Sequence, residues 1–209
     1  MTTAVDSSIG KDDMIDKDGN TIKPDFTHLT RYAKQFSDLT TEKENVLLSV
    51  KAEIAPLLSE VTDNFYNVMH TIPEAATYLE GRVEKLKPTH QHWMRSLFTG
   101  PFDESYTEAM YNVGDVHVRV NLPVEFMSGG ITLICNELYK LVFEIYSDDL
   151  EKAHKITDAI NSAMGFSLFV MQKSYHASID EALDKFLLIT GMSKPLFEKL
   201  SSTFNKTQR

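Results

Sequence analysis

Histidine is the residue type in this sequence best suited to bind a metal ion or transfer a proton near neutral pH. His90 and His92 lie two residues apart in a segment with helical spacing, so their side chains point in different directions and do not readily share a metal. His90 lies on the apolar side of that segment with Leu86 and Trp93, which favours a buried, hydrogen-bonded imidazole. The other histidines are spread along the chain: His28, His70, His117, His154 and His176.

His117 has the most apolar surroundings of the seven. Val113, Val116, Val118 and Val120 flank it, so its imidazole is predicted to enter an apolar pocket. Spacing alone favours a hydrogen-bonded core histidine and leaves a metal ligand as the alternative.

Signatures of common enzyme classes are missing from the sequence. It contains no glycine-rich phosphate loop, no GxSxG and no HExxH, and Gly129-Gly130 reads as a small-residue step in a helix. The single cysteine, Cys135, excludes an internal disulfide and a cysteine-based zinc site, and it suits a reducing compartment.

The charge balance also excludes several kinds of partner. The net charge is -9 with no run of basic residues, which argues against nucleic acid and against anionic membrane surfaces. No apolar run approaches the roughly 20 residues that a spanning helix needs. Without a signal peptide in the N-terminal residues, we expect a cytoplasmic protein.

Helical spacing of apolar residues dominates the chain after residue 24, and no stretch alternates as a strand does. We therefore predict an all-α fold of seven or eight helices. Thr41 and Glu44 form a predicted capping box, and Ser105 with Glu108 a second one. Pro88 is expected to start or kink its helix. The helices are expected near residues 26–36, 41–54, 57–70, 72–80, 82–98, 105–111, 124–146 and 149–189.

The domain prediction follows from these patterns. Residues 1–23 are polar and predicted to be flexible, and residues 24–190 form one domain that ends in two long helices. Gly191 fits a helix cap, and residues 191–209 read as the start of a linker helix.

Three motifs, in this order and at these spacings, give the chain a family resemblance. The segment 113–123, VGDVHVRVNLP, resembles the proximal-histidine motif of globin-coupled sensors and protoglobins, isoleucine-glycine-x-x-His-x-Arg-isoleucine-glycine-leucine. The Phe65-Tyr66 pair resembles the family's distal phenylalanine and tyrosine, and the segment 86–100 resembles its distal helix. Asn121 stands where the family often has glycine, and asparagine tolerates a left-handed backbone better than most residues.

The resemblance implies a globin-like fold with an extra N-terminal helix, and a haem b cofactor. His117 would be the iron ligand, with its other nitrogen donating to a carbonyl or another polar group. Tyr66 would donate a hydrogen bond to the bound gas, and Thr89 would be a second polar group on that side. Arg119 would reach a haem propionate or form a surface ion pair. The pocket walls would include Phe65, Leu86, Trp93 and Phe126.

The function that the resemblance implies is oxygen sensing, with carbon monoxide and nitric oxide as further ligands. The family packs its last two helices into a dimeric bundle, so a homodimer is expected. Gas binding would shift the segment around His117, and the signal would reach an output module such as a diguanylate cyclase, which this sequence lacks. No catalytic activity is expected of this chain. A haem-free sensor globin that acts as an interaction domain is the alternative, and a haem enzyme acting on nitric oxide or peroxide is the least favoured reading.

Overall fold

A computed structural model describes residues 24–207, and the predicted flexible segment 1–23 lies outside them. All regular structure among residues 24–207 is helical, as predicted. The helices are α1 (Phe26–Phe36), α2 (Thr41–Ser49), α3 (Lys51–Ile54), α4 (Leu58–His70), α5 (Pro73–Leu79), α6 (Val83–Leu97), α7 (Glu104–Arg119), α8 (Val124–Ile145), α9 (Leu150–Thr190) and α10 (Lys194–Thr207). A short 3-10 turn joins α3 to α4.

The chain divides into two compact units. One is Phe26–Tyr175, and the other includes the chain from His176 onward. The boundary falls inside α9, before the domain end at residue 190 that the sequence suggested. In the second unit, Lys194 of α10 lies 3.5 Å from Asp184 of α9.

The long apolar helices begin and end close to their expected positions. Asp149 caps α9 by accepting a hydrogen bond from the Lys152 amide at 3.0 Å, and Gly191 follows the helix with a φ of +68°. No helix within residues 24–207 combines the length and the apolarity needed to cross a membrane.

The caps of two other helices differ from the prediction. Thr40, one residue before the predicted cap, accepts a hydrogen bond from the Lys43 amide and caps α2. Asp103 caps α7 by accepting from the Tyr106 amide at 3.0 Å, so Ser105 is not the cap. In both places two capping residues lie within two positions of each other, and the chain uses the earlier one.

α6 lies within its predicted range, 82–98, whereas α7 continues well beyond the predicted helix 105–111. α6 begins at Val83 and contains Pro88 inside the helix, so Pro88 does not start it. α7 continues through Gly114 to Arg119, so His117 lies in its last turn instead of in a separate short stretch. Asn121 then adopts the left-handed conformation anticipated for it, with a φ of +54°.

The core of the first unit lies around α4, which packs against α5, α6 and α8. Its largest fully buried side chains include Tyr66, Phe98, Phe102 and Phe166. α1 packs on α7, where the hydroxyls of Thr30 and Thr107 lie 2.6 Å apart. This packing holds α4, α6 and α7 in place around the predicted site residues.

Candidate functional site

His117 is half-buried at the end of α7, and its Nδ1 atom is fully buried. Among residues 24–207, Nδ1 has no hydrogen-bond partner. Burial lowers the pKa of His117, which keeps the imidazole neutral near pH 7. A neutral imidazole with a buried, unpaired nitrogen has the chemical form that binds a transition metal.

Tyr66 of α4 and His90 of α6 form a hydrogen-bonded pair. Tyr66 is only 1% exposed, and its hydroxyl lies 2.8 Å from His90 Nδ1. The two rings also stack, with centroids 5.5 Å apart. This bears out the hydrogen bond that the sequence interpretation gave to the His90 imidazole, which is half-buried. It also shows that the Tyr66 hydroxyl points inward, to a partner, and not to the surface.

Burial sets the protonation states of this pair. It raises the pKa of Tyr66 well above its usual range, so the hydroxyl keeps its proton. Burial, together with the nearby charge of His117, lowers the pKa of His90 to about 4. His117 therefore lies near enough to the Tyr66–His90 pair to affect the pKa of His90.

Phe65 forms an aromatic wall beside the pair. Its ring meets Tyr66 edge-on at 5.0 Å and His90 at 5.7 Å. On the other side, Gly130 of α8 lies next to the Phe65 ring, where a Cβ atom would stand 3.7 Å away, at ordinary van der Waals distance. The walls of this region are therefore apolar and closely packed.

The remaining predicted pocket residues are all half-buried. Leu86 and Trp93, both on α6, are half-buried and pack against the core. Phe126 of α8 is half-buried and meets Tyr78 edge-on at 5.5 Å.

Two residues considered for polar roles lie away from this group. Thr89 is exposed, because the turn of α6 that carries it directs the neighbouring His90 inward instead. Arg119 forms an exposed ion pair with Asp115, which lies one helical turn earlier, at 3.3 Å. A surface ion pair was one of the two roles expected for Arg119. On α6, His90 and not Thr89 makes the polar contact with Tyr66. The spacing of His90, four residues after Leu86 and three residues before Trp93, is the sequence signal for its inward-facing side chain.

The donor set fits a haem group. Haem iron in a globin takes one histidine nitrogen from the protein, and its porphyrin needs apolar and aromatic walls. His117 offers the buried nitrogen, and Phe65 with its neighbours offers the walls. Polar groups for a small ligand are present in the Tyr66–His90 pair.

Comparison with solved structures identifies the fold. The globin domain of a Geobacter sulfurreducens globin-coupled sensor is 26% identical, with a TM-score of 0.65 over 69% of this chain and 96% of that one. The ferric globin domain of Escherichia coli DosC is 18% identical, with a TM-score of 0.58 over 70% of this chain and 99% of that one. The globin-like fold predicted from the sequence is confirmed.

Comparison with curated sequences finds longer proteins. The diguanylate cyclases DosC of Shigella boydii and Escherichia coli are each 24% identical over 160 residues, which is 74% of this chain and 35% of each relative. The chain thus spans about a third of the length of the curated relatives it matches. The family model described as Protoglobin matches residues 28–181, which is most of the chain. The chain therefore belongs to the protoglobin family.

Proposed function

We propose that this chain is a haem-based oxygen sensor domain, with haem b held by His117. The observation that carries the proposal is the buried, unpaired Nδ1 of His117 in the same apolar region as the Tyr66–His90 pair. When bound, haem iron supplies reversible binding of oxygen, carbon monoxide or nitric oxide. The protein's part is to hold the iron, exclude water and present a hydrogen-bond donor.

Each residue of the group has a distinct part in this proposal. His117 binds the iron as a neutral imidazole, a form that its lowered pKa favours. Phe65, Leu86, Trp93 and Phe126 line the pocket and keep it dry, which strengthens any hydrogen bond made inside it.

The hydrogen bond between Tyr66 and His90 decides which donor faces the ligand. A neutral imidazole carries one proton on one of its two nitrogens. The only proton on the Tyr66 hydroxyl needs an acceptor, so we assign Tyr66 as the donor and His90 Nδ1 as the acceptor, at 2.8 Å. The His90 proton is then on Nε2, and that nitrogen has no lone pair to bind iron. His90 in this tautomer is a hydrogen-bond donor and not a second iron ligand.

The proposal is tested by the absorption spectrum of the full chain reconstituted with haem. We expect one haem per chain and a five-coordinate reduced spectrum that shifts with oxygen and with carbon monoxide. A six-coordinate reduced spectrum would instead indicate that His90 binds the iron, if it is lost in His90→Leu and kept in His92→Leu, whose residue lies on the exposed side of α6. His90 would then have the opposite tautomer. Absence of stoichiometric haem uptake would overturn the proposal in favour of a haem-free interaction domain.

We also propose a homodimer through the last two long helices, α8 and α9. α8 exposes Phe143 by 38%. In the second unit, α9 exposes Ile179, Ala182, Phe186 and Ile189, which are spaced three, four and three residues apart. That spacing forms the seam of a two-stranded coiled coil, in which each helix covers the other's apolar stripe.

The dimer is tested by sedimentation of the full chain and its variants. Ile189 and Leu188 are adjacent and equally exposed, at 84% and 83%, but only Ile189 lies on the seam. We expect Ile179→Glu and Ile189→Glu each to weaken the dimer, and Leu188→Glu to leave it intact. A monomeric wild type, or equal effects of all three variants, would contradict this interface.

The output of the sensor follows from the longer relatives. The DosC proteins are named as diguanylate cyclases and extend well beyond the matched region. We infer that gas binding at this domain controls an output of that class through α9. The chain itself is assigned binding and sensing, and no catalytic step.

A further inference from the structure

His117 belongs to a helix-ending motif that fixes its backbone. The Leu122 amide donates to the His117 carbonyl at 2.9 Å, and the Asn121 amide donates to the Val118 carbonyl at 2.9 Å. With Asn121 in the left-handed conformation, these two bonds form a Schellman motif. A displacement of the turn at residues 120–122 is therefore a displacement of the His117 backbone.

This turn is tied to α9 by one side chain. The Tyr175 hydroxyl donates to the Leu122 carbonyl at 2.9 Å. Burial raises the pKa of Tyr175 to about 12, so the donor persists at physiological pH. The Leu122 amide thus donates to the His117 carbonyl, and the Leu122 carbonyl accepts from Tyr175 of α9.

A second contact with α9 lies on the other side of His117. Gly114, one turn earlier in α7, lies so close to α9 that a Cβ atom there would stand 2.1 Å from Ser174 Oγ. Ser174 and Tyr175 are consecutive residues. α9 therefore contacts the His117 segment at two points, one on each side of the histidine, at the residues where the first unit ends.

We propose that Tyr175 is a positioning residue that links the His117 turn to α9 and transmits its movement into the continuation of that helix. The proposal rests on the assignment of His117 as the iron ligand. Because the link at Leu122 is a hydroxyl on a backbone carbonyl, loss of that oxygen should uncouple the turn at residues 120–122 from α9 and leave the ring packing intact. α9 continues without interruption to Thr190, so a shift received at Tyr175 reaches the predicted coiled-coil seam.

The test compares the full haem-loaded chain with its Tyr175→Phe variant. Tyr139→Phe is the matched control, since its hydroxyl also joins α8 to α9, by donating to Asn161 Oδ1 at 3.3 Å, away from the His117 turn. Amide hydrogen exchange is measured over residues 118–123 and 176–190, with and without carbon monoxide. The iron–histidine vibration of the reduced protein is recorded by resonance Raman spectroscopy.

We expect wild type and Tyr139→Phe to show a change in exchange over residues 176–190 when carbon monoxide binds. Tyr175→Phe should lose that change, shift the iron–histidine vibration and exchange about twofold to tenfold faster at the 118–123 turn. A ligand response and a vibration equal to wild type in Tyr175→Phe, or no response in wild type, would overturn the coupling. Failure of all variants to take up haem would instead refute the proposed function. In that case, unchanged exchange at the turn of haem-free Tyr175→Phe would also overturn the link, and faster exchange would support it.

Discussion

Replacing Gly114 with alanine is expected to lower the free energy of unfolding by about 1–3 kcal/mol or more, although the same change usually stabilises a helix interior by roughly 0.5–1 kcal/mol. The added methyl carbon would stand 2.1 Å from Ser174 Oγ, 2.5 Å from the Met171 carbonyl oxygen and 2.9 Å from Met171 Cα. Two of these atoms are backbone, so the clash cannot be relieved by rotating a side chain. Ser174 is buried and donates to the Met171 carbonyl at 2.7 Å, which restricts its own hydroxyl as well.

The matched control for this prediction is Gly129→Ala in α8, because nothing lies within 4 Å of the Cβ position at Gly129. We expect that variant to be more stable than wild type by the usual roughly 0.5–1 kcal/mol. Urea unfolding of the haem-free proteins, followed by circular dichroism, measures both effects. Equal stabilisation by both alanines would show that α7 and α9 do not approach each other closely at Gly114.

Gly114 also shows where sequence reasoning about this fold was incomplete. In the sequence it lies beyond the predicted helix 105–111, and glycine inside a helix is unfavourable. Glycine is required at this position because α9 approaches it closely, and the α9 residues involved, Met171 and Ser174, are distant from it in sequence. Local pattern cannot reveal such a contact, whereas the apolar periodicity of α8 and α9 was sufficient to predict both long helices.

The motifs around Tyr66 and His117 were recognised in the sequence, and their assignment to a haem site stays a prediction. In the structure the Tyr66 side chain and the Nδ1 atom of His117 are both buried. Thr89 and His90 are adjacent on α6, and their spacing from Leu86 differs by only one residue. The apolar spacing already placed His90 on the inner side of α6 with Leu86 and Trp93, but it did not identify the partner of the imidazole. The Tyr66–His90 bond joins two helices and was not foreseen.

Replacing His117 with leucine is expected to abolish stoichiometric haem uptake while leaving the haem-free fold as stable as wild type or more stable. Leucine keeps the side-chain bulk but removes the buried Nδ1, which has no hydrogen-bond partner among residues 24–207. An unpaired buried polar atom costs about 1–3 kcal/mol, so its removal does not destabilise the fold. Haem titration measures uptake, urea unfolding measures stability, and His92→Leu on the exposed side of α6 serves as the control.

His117→Gly should regain the haem spectrum when imidazole is added, because the cavity then admits the missing ligand. Haem uptake equal to wild type in His117→Leu would contradict the assignment, whereas a large loss of haem-free stability would mean that Nδ1 has a partner in solution. Loss of haem uptake together with retained stability distinguishes an iron ligand from a structural histidine. Replacing a structural histidine would lower both haem uptake and the stability of the haem-free fold.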